Sequence, residues 1–113
     1  MARNPNSPRR ESMRNILGKK TAARVAARTG GCCAYCGAPG AQFDHLHPRH
    51  LGGRDVEHNV ALACAVCNRA KSAMTLAQWA AYAAATLGLA VDPVAIRAAA
   101  MRSRLDHKLA LAA

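Results

Sequence analysis

Apolar positions in this chain recur at helical spacing towards both ends and give way to short, turn-bounded runs in the middle. Met13, Ile16, Leu17 and Val25 alternate with basic residues and alanines. That pattern predicts helix, begun by Ser7-Pro8 as N-cap and first-turn proline. Gly18 predicts a break, and Thr29-Gly30-Gly31 an end. Thr75-Leu76-Ala77-Gln78 has the form of a capping box, so a second helical stretch is predicted from there to Leu87, stopping at Gly88. Asp92-Pro93 starts a further helix with Val94, Met101, Leu105 and Leu109 along one side and Arg97, Arg104 and Lys108 on another.

A chain of 113 residues suits one domain, read here as a basic N-terminal helical arm (1–28), a cysteine-rich core (29–74) and C-terminal helices (75–113). Half of it is apolar, but much of that is alanine, and the only aromatics are Tyr35, Phe43, Trp79 and Tyr82. Burial alone therefore gives modest stability, and something else should help hold the core. The formal net charge is +10. Arg3, Arg9, Arg10, Arg14, Lys19, Lys20, Arg24 and Arg28 face a single acid, Glu11, in the arm. A cluster of that kind predicts a polyanionic partner, nucleic acid first. No apolar run reaches the roughly 20 residues that cross a bilayer, and the basic N-terminus lacks the apolar stretch of a secretion signal. The expectation is a cytoplasmic protein, in a bacterial cell or phage-infected host, with no membrane partner. In such a reducing interior the five cysteines read as metal ligands before disulfides.

Cys33-Ala34-Tyr35-Cys36 and Cys64-Ala65-Val66-Cys67 are two C-x-x-C pairs, each spaced so that two thiolates grip one ion from a tight turn. Together they predict a four-sulfur structural Zn²⁺ site with no open position for water. The 27 residues between the pairs must form structure of their own. Cys32 is assigned to packing.

With these pairs come Gly37, Asp44-His45-x-x-Pro48, Gly52-Gly53, Asn59 and Cys67-Asn68-x-x-Lys71. The conjunction, over about residues 29–80, resembles the HNH endonuclease family. The resemblance implies an α+β, mostly helical protein with a treble-clef ββα-metal core and zinc knuckle, flanked by N- and C-terminal helices. Its strands would be 42–45 and 59–63, and its helix about 65–73. It further implies a metal-dependent DNA endonuclease, with His45 as the base that activates water. Asp44 and Asn68 would hold a catalytic Mg²⁺ or Mn²⁺, preferred over softer ions because both present oxygen. Asn59 would brace the catalytic loop.

Neighbouring strand residues point to opposite faces, so Asp44 and His45 can cooperate only where the strand ends or bends. Lys71, Arg49 and Arg69 are the candidate phosphate contacts, with Arg54 adding to the local charge. His47, His50 and His58 crowd the same segment, their roles open between the site and plain loop positions. Trp79 and Tyr82 read as core. No base-reading element stands out, so weak sequence preference is expected. The chain could act as a monomer or a homodimer, and phage-packaging, restriction and mobile-element settings all stay open. The alternative reading is a zinc-stabilised DNA-binding module without catalysis.

Overall fold

The computed structural model describes residues 12–112. Ser7-Pro8 and the first three arginines of the arm lie outside them.

Helix α1 (Met13–Leu17) is capped by Ser12, and Gly18 (φ 86°) separates it from α2 (Lys19–Ala27). After α2 the chain turns through Gly30 and Gly31, both at positive φ, into the cysteine loop. Strands β1 (Gln42–His45) and β2 (Val60–Ala63) form an antiparallel hairpin pairing Gln42 with Ala63 and His45 with Val60. Helix α3 (Ala65–Lys71) follows directly, and α4 (Leu76–Tyr82) comes next. Thr75 and Gln78 satisfy each other's backbone N–H groups at its start, the capping box read from sequence. One π-type turn, Ala83–Leu87, ends at Gly88. Helix α5 (Pro93–Ala112) closes the described chain.

This is the helical, two-stranded arrangement that the motifs implied, compatible with an HNH ββα-metal fold. The core gathers Cys33, Tyr35, Leu46, Ala61, Ala63, Cys67, Leu76, Trp79, Ala83 and Ala100. Trp79 is fully buried, edge-on to Tyr35 and stacked on the half-exposed Tyr82. All four residues of β2 are buried, which fixes the hairpin against the rest.

Two features depart from the sequence pattern. Val94, Met101, Leu105 and Leu109 face solvent; α5 docks through buried Ala100 and half-buried Ile96, helped by polar contacts of Arg97 with Asn59 and Ser103 with Glu57. An alanine-rich helix lets short side chains make the close approach, so large apolar residues need not mark the packed side. The arm's charge also divides. Arg24 pairs with Glu57 at 2.8 Å, and Arg28 donates to the carbonyls of Val60 and Glu57. Both hold the hairpin, while Arg14, Lys19 and Lys20 remain exposed.

Candidate metal centre and active-site groove

The two C-x-x-C pairs flank the hairpin in sequence and meet at its open end, one in the loop before β1 and the other where β2 enters α3. The Sγ atoms of Cys33, Cys36, Cys64 and Cys67 lie within 4.8 Å of one another, positioned to bind one metal ion. An ion at about 2.3 Å from four tetrahedral sulfurs separates them by roughly 3.8 Å, and Cys36 and Cys64 are 3.6 Å apart. Backbone N–H groups of Tyr35 and Cys67 point at the sulfurs of Cys33 and Cys64. The Cys67 N–H, with the neighbouring thiols, pulls the Cys64 thiol down to about 7, whereas burial pushes Cys67 up. Donor type, count and spacing fit Zn²⁺. Cys32 stands outside the cluster, bridged through its backbone to Pro39.

On the far side of β1 is an open groove of about 760 Å³ lined by Asp44, His45, Arg49, His50, Lys71 and Ser72, with Met13 and Ile16 of α1 on one wall. A slightly larger depression between α2 and α5 is lined by alanines and by polar residues that include Arg24, Arg28 and Arg102, and holds none of the candidate catalytic residues. The strand stops at His45, and Asp44 and His45 meet the same groove there.

Asp44 is buried. Its Oδ2 accepts from the Tyr35 hydroxyl at 2.6 Å and lies 3.1 Å from the Lys71 ammonium. Burial and then the Asp44 charge push Tyr35 far above its ordinary pKa, so the phenol stays a donor. Lys71, read from sequence as a phosphate contact, is instead among the most buried side chains, its Nζ 2.7 Å from the His45 carbonyl. Asn68 and Lys71 do share a face of α3, but that face packs on β1. Asn68 Nδ2 donates to Gln42 at 2.6 Å, and Asn68 does not line the groove.

Among the described residues, Asp44 Oδ1 and Asn68 Oδ1 carry no hydrogen bond. Two oxygens suit a hard divalent ion, with the Lys71 ammonium opposing it.

His45 Nε2 is 2.7 Å from Asp55 Oδ1. Asp55, which the sequence did not single out, also takes two hydrogen bonds from Arg49, at 2.9 and 3.0 Å. Arg49 first and His45 second hold the Asp55 carboxyl below its ordinary pKa. Arg49, expected on phosphate, thus has its fork on Asp55, while Arg69 and Arg54 are exposed.

Asn59 is buried. Its Oδ1 accepts from the His47 N–H, and its Nδ2 donates to the carbonyls of His47 and Arg54, at 2.9 to 3.0 Å. His47 turns from the groove towards Leu76 and Arg97. His58 sits near Arg104, Arg97 and Arg54, its pKa lowered by burial and then by their charge. No described helix is long and apolar enough to cross a membrane.

A family model described as HNH endonuclease matches residues 33–74, from the first clustered cysteine to three residues beyond Lys71. No curated protein and no solved structure matches the chain.

Proposed function

From the HNH endonuclease match over residues 33–74 and the groove beside it, we propose that this protein is a metal-dependent DNA endonuclease. The observation that carries the reading is the meeting of Asp44 and His45 at the end of β1, on one open groove. His45 takes a proton from the attacking water as its oxygen bonds to phosphorus, and the 3′ oxygen departs with the electron pair of the broken bond, leaving a 5′-phosphate end. Asp44 would hold Mg²⁺ or Mn²⁺ from the groove wall, with Asn68, which lies outside the groove lining with its Nδ2 on Gln42, offering its Oδ1 as second ligand; the ion when bound would offset charge on the phosphate and the leaving oxygen. Asn59 keeps the loop beside the base in shape. The four-cysteine zinc site has no open position and so serves the fold.

Exposed Arg14, Lys19, Lys20, Arg54 and Arg69 supply phosphate contacts, which make binding salt-dependent and weakly selective. A DNA partner also suits the net charge. One such groove cuts one strand at a time.

A second reading, a zinc-stabilised DNA-binding module, draws on one observation: the Lys71 ammonium already faces Asp44. Supercoiled plasmid with Mg²⁺ or Mn²⁺ separates the two. The nuclease reading expects nicking by the native chain, and loss of cutting with retained binding for His45→Ala. Binding without cutting by the native chain establishes the module instead, and unchanged cutting by His45→Ala removes His45 as the base.

A further inference from the structure

The segment between His45 and Asn59 is more tightly built than a loop that merely connects two strands. The carbonyls of His47 and Arg54 are drawn together by one buried amide, Asn59 Nδ2, at 3.0 Å each. The Gly53 N–H donates to the Pro48 carbonyl, and a Cβ at Gly53 would lie 1.8 Å from the His47 carbonyl oxygen. Two crossing stretches of backbone therefore touch where only glycine fits, beside Gly52 in the left-handed region (φ 93°). The residue this closed loop delivers, directly after Arg54, is Asp55.

Asp55 reaches back ten residues to His45 Nε2 and is gripped by the fork of Arg49, whose Nε donates to Oδ1, the oxygen that also faces His45, and whose Nη2 donates to Oδ2. An ionised carboxylate can only accept. His45 Nε2 must therefore carry the hydrogen, so that in the neutral ring the lone pair lies on Nδ1. A histidine's reactive nitrogen is set by the hydrogen bond that its other nitrogen makes.

We propose that Asp55 is the positioning residue of His45: it fixes the ring's orientation and its Nε2–H tautomer, so that Nδ1 is the nitrogen presented to water. Arg49 and Asn59 act through Asp55, the first by clamping the carboxylate and the second by holding the loop that carries it. In this role Asp55 acts through the ring and not on the scissile phosphate or the attacking water; it also faces the positive charge that His45 acquires on taking the proton. The inference rests on the nuclease reading for its consequence in catalysis, but the tautomer can be read without any cleavage.

The test uses the full, zinc-loaded chain. Long-range ¹H–¹⁵N correlation spectra of the native protein should show His45 protonated at Nε2 and bare at Nδ1. In Asp55→Ala that preference should disappear while zinc content and the remaining amide spectrum are kept. In plasmid cleavage, Asp55→Ala should lose about 10- to 100-fold in turnover, the size typical of removing a partner that orients a histidine ligand or base, with DNA affinity within about two-fold of native. Asp55→Glu should recover part of that loss. In a His45→Ala background Asp55→Ala should cost nothing further, because the residue through which it acts is gone.

A native His45 protonated at Nδ1, or a tautomer unmoved by Asp55→Ala, overturns the proposal. A loss confined to DNA affinity overturns it as well, since it would place Asp55 and Arg49 in binding. If the native chain binds DNA and never cuts it, the nuclease reading fails by itself, and the spectra still decide whether Asp55 sets the ring.

Discussion

Replacing Lys71 by methionine keeps most of the stem's volume and removes the ammonium from one of the most enclosed points of the molecule. Lys71 is 1% exposed and Asp44 6%. In Lys71→Met the Asp44 carboxylate retains the Tyr35 hydroxyl, and the His45 carbonyl loses its side-chain donor. Orphaning one member of a buried ion pair costs about 3–5 kcal/mol, and an unpaired carbonyl about 1 kcal/mol more. Against a total stability of roughly 5–15 kcal/mol, that is a large share. The midpoint of thermal unfolding should fall by about 10 °C or more. Urea unfolding at neutral pH, with zinc held constant, measures the loss directly. Adding Asp44→Asn to Lys71→Met should return part of it, with a coupling of about 1–3 kcal/mol. A Lys71→Met protein within about 1 kcal/mol of native would refute the reasoning, since it would mean that the ammonium does not neutralise Asp44.

Glu57 gives a pH prediction. Burial alone would raise its pKa, but hydrogen bonds from Arg24 and Ser103 leave it below the ordinary value. A carboxylate depressed in the folded state contributes stability that is present above its unfolded pKa, about 4.3, and is lost as pH falls through the lower folded value. Glu57→Gln should therefore cost about 1–2 kcal/mol at pH 7, with the gap to native closing below about pH 4; a gap constant down to pH 3 would contradict it. Gly53→Ala forces a methyl into the His47 carbonyl and should cost more than about 2 kcal/mol together with most cleavage; equal stability by urea unfolding would show that the crossing is not close. Chelation of the four-cysteine ion should unfold the hairpin, read as loss of amide dispersion, and Zn²⁺ should restore it. Intact dispersion in metal-free protein would show the site to be dispensable for the fold.

Much of this was legible in the sequence because its signals are local. The Thr75 capping box, the break at Gly18 and the two C-x-x-C pairs each depend on residues a few positions apart, and the structure places them accordingly. The motif also carried Asp44 and His45 to one groove. What it could not carry was direction. Asn68 and Lys71 share a face of α3 under either reading, but only packing decides that the face meets β1 and turns a presumed phosphate contact into the partner of Asp44. Asp55 was missed for a related reason. An acid after Gly-Gly-Arg reads as a solvated turn residue, and its partner His45 lies ten residues away across a folded-back loop. The signal available was the number of constrained residues around it: two glycines, an arginine six residues upstream and an amide four residues downstream.

The placing of the cysteines has a consequence for how the chain becomes ordered. Cys36 and Cys64 are 28 positions apart, yet their sulfurs nearly touch. Bringing such distant points of a flexible polymer together costs about (3/2)RT ln n, roughly 3 kcal/mol, before the hairpin inside the loop returns anything. Zinc held by four thiolates yields about 10–16 kcal/mol in small zinc domains, several times that penalty. Asp44, His45, Pro48, Arg49 and His50 of the groove lie inside this loop, while Lys71 to Ala73 follow at the end of α3 and Met13 and Ile16 come from α1. His45 and Asp55 precede Cys64 and Cys67 in the chain, so an ion held by all four thiolates would close the loop around them only once the second cysteine pair has been added during synthesis.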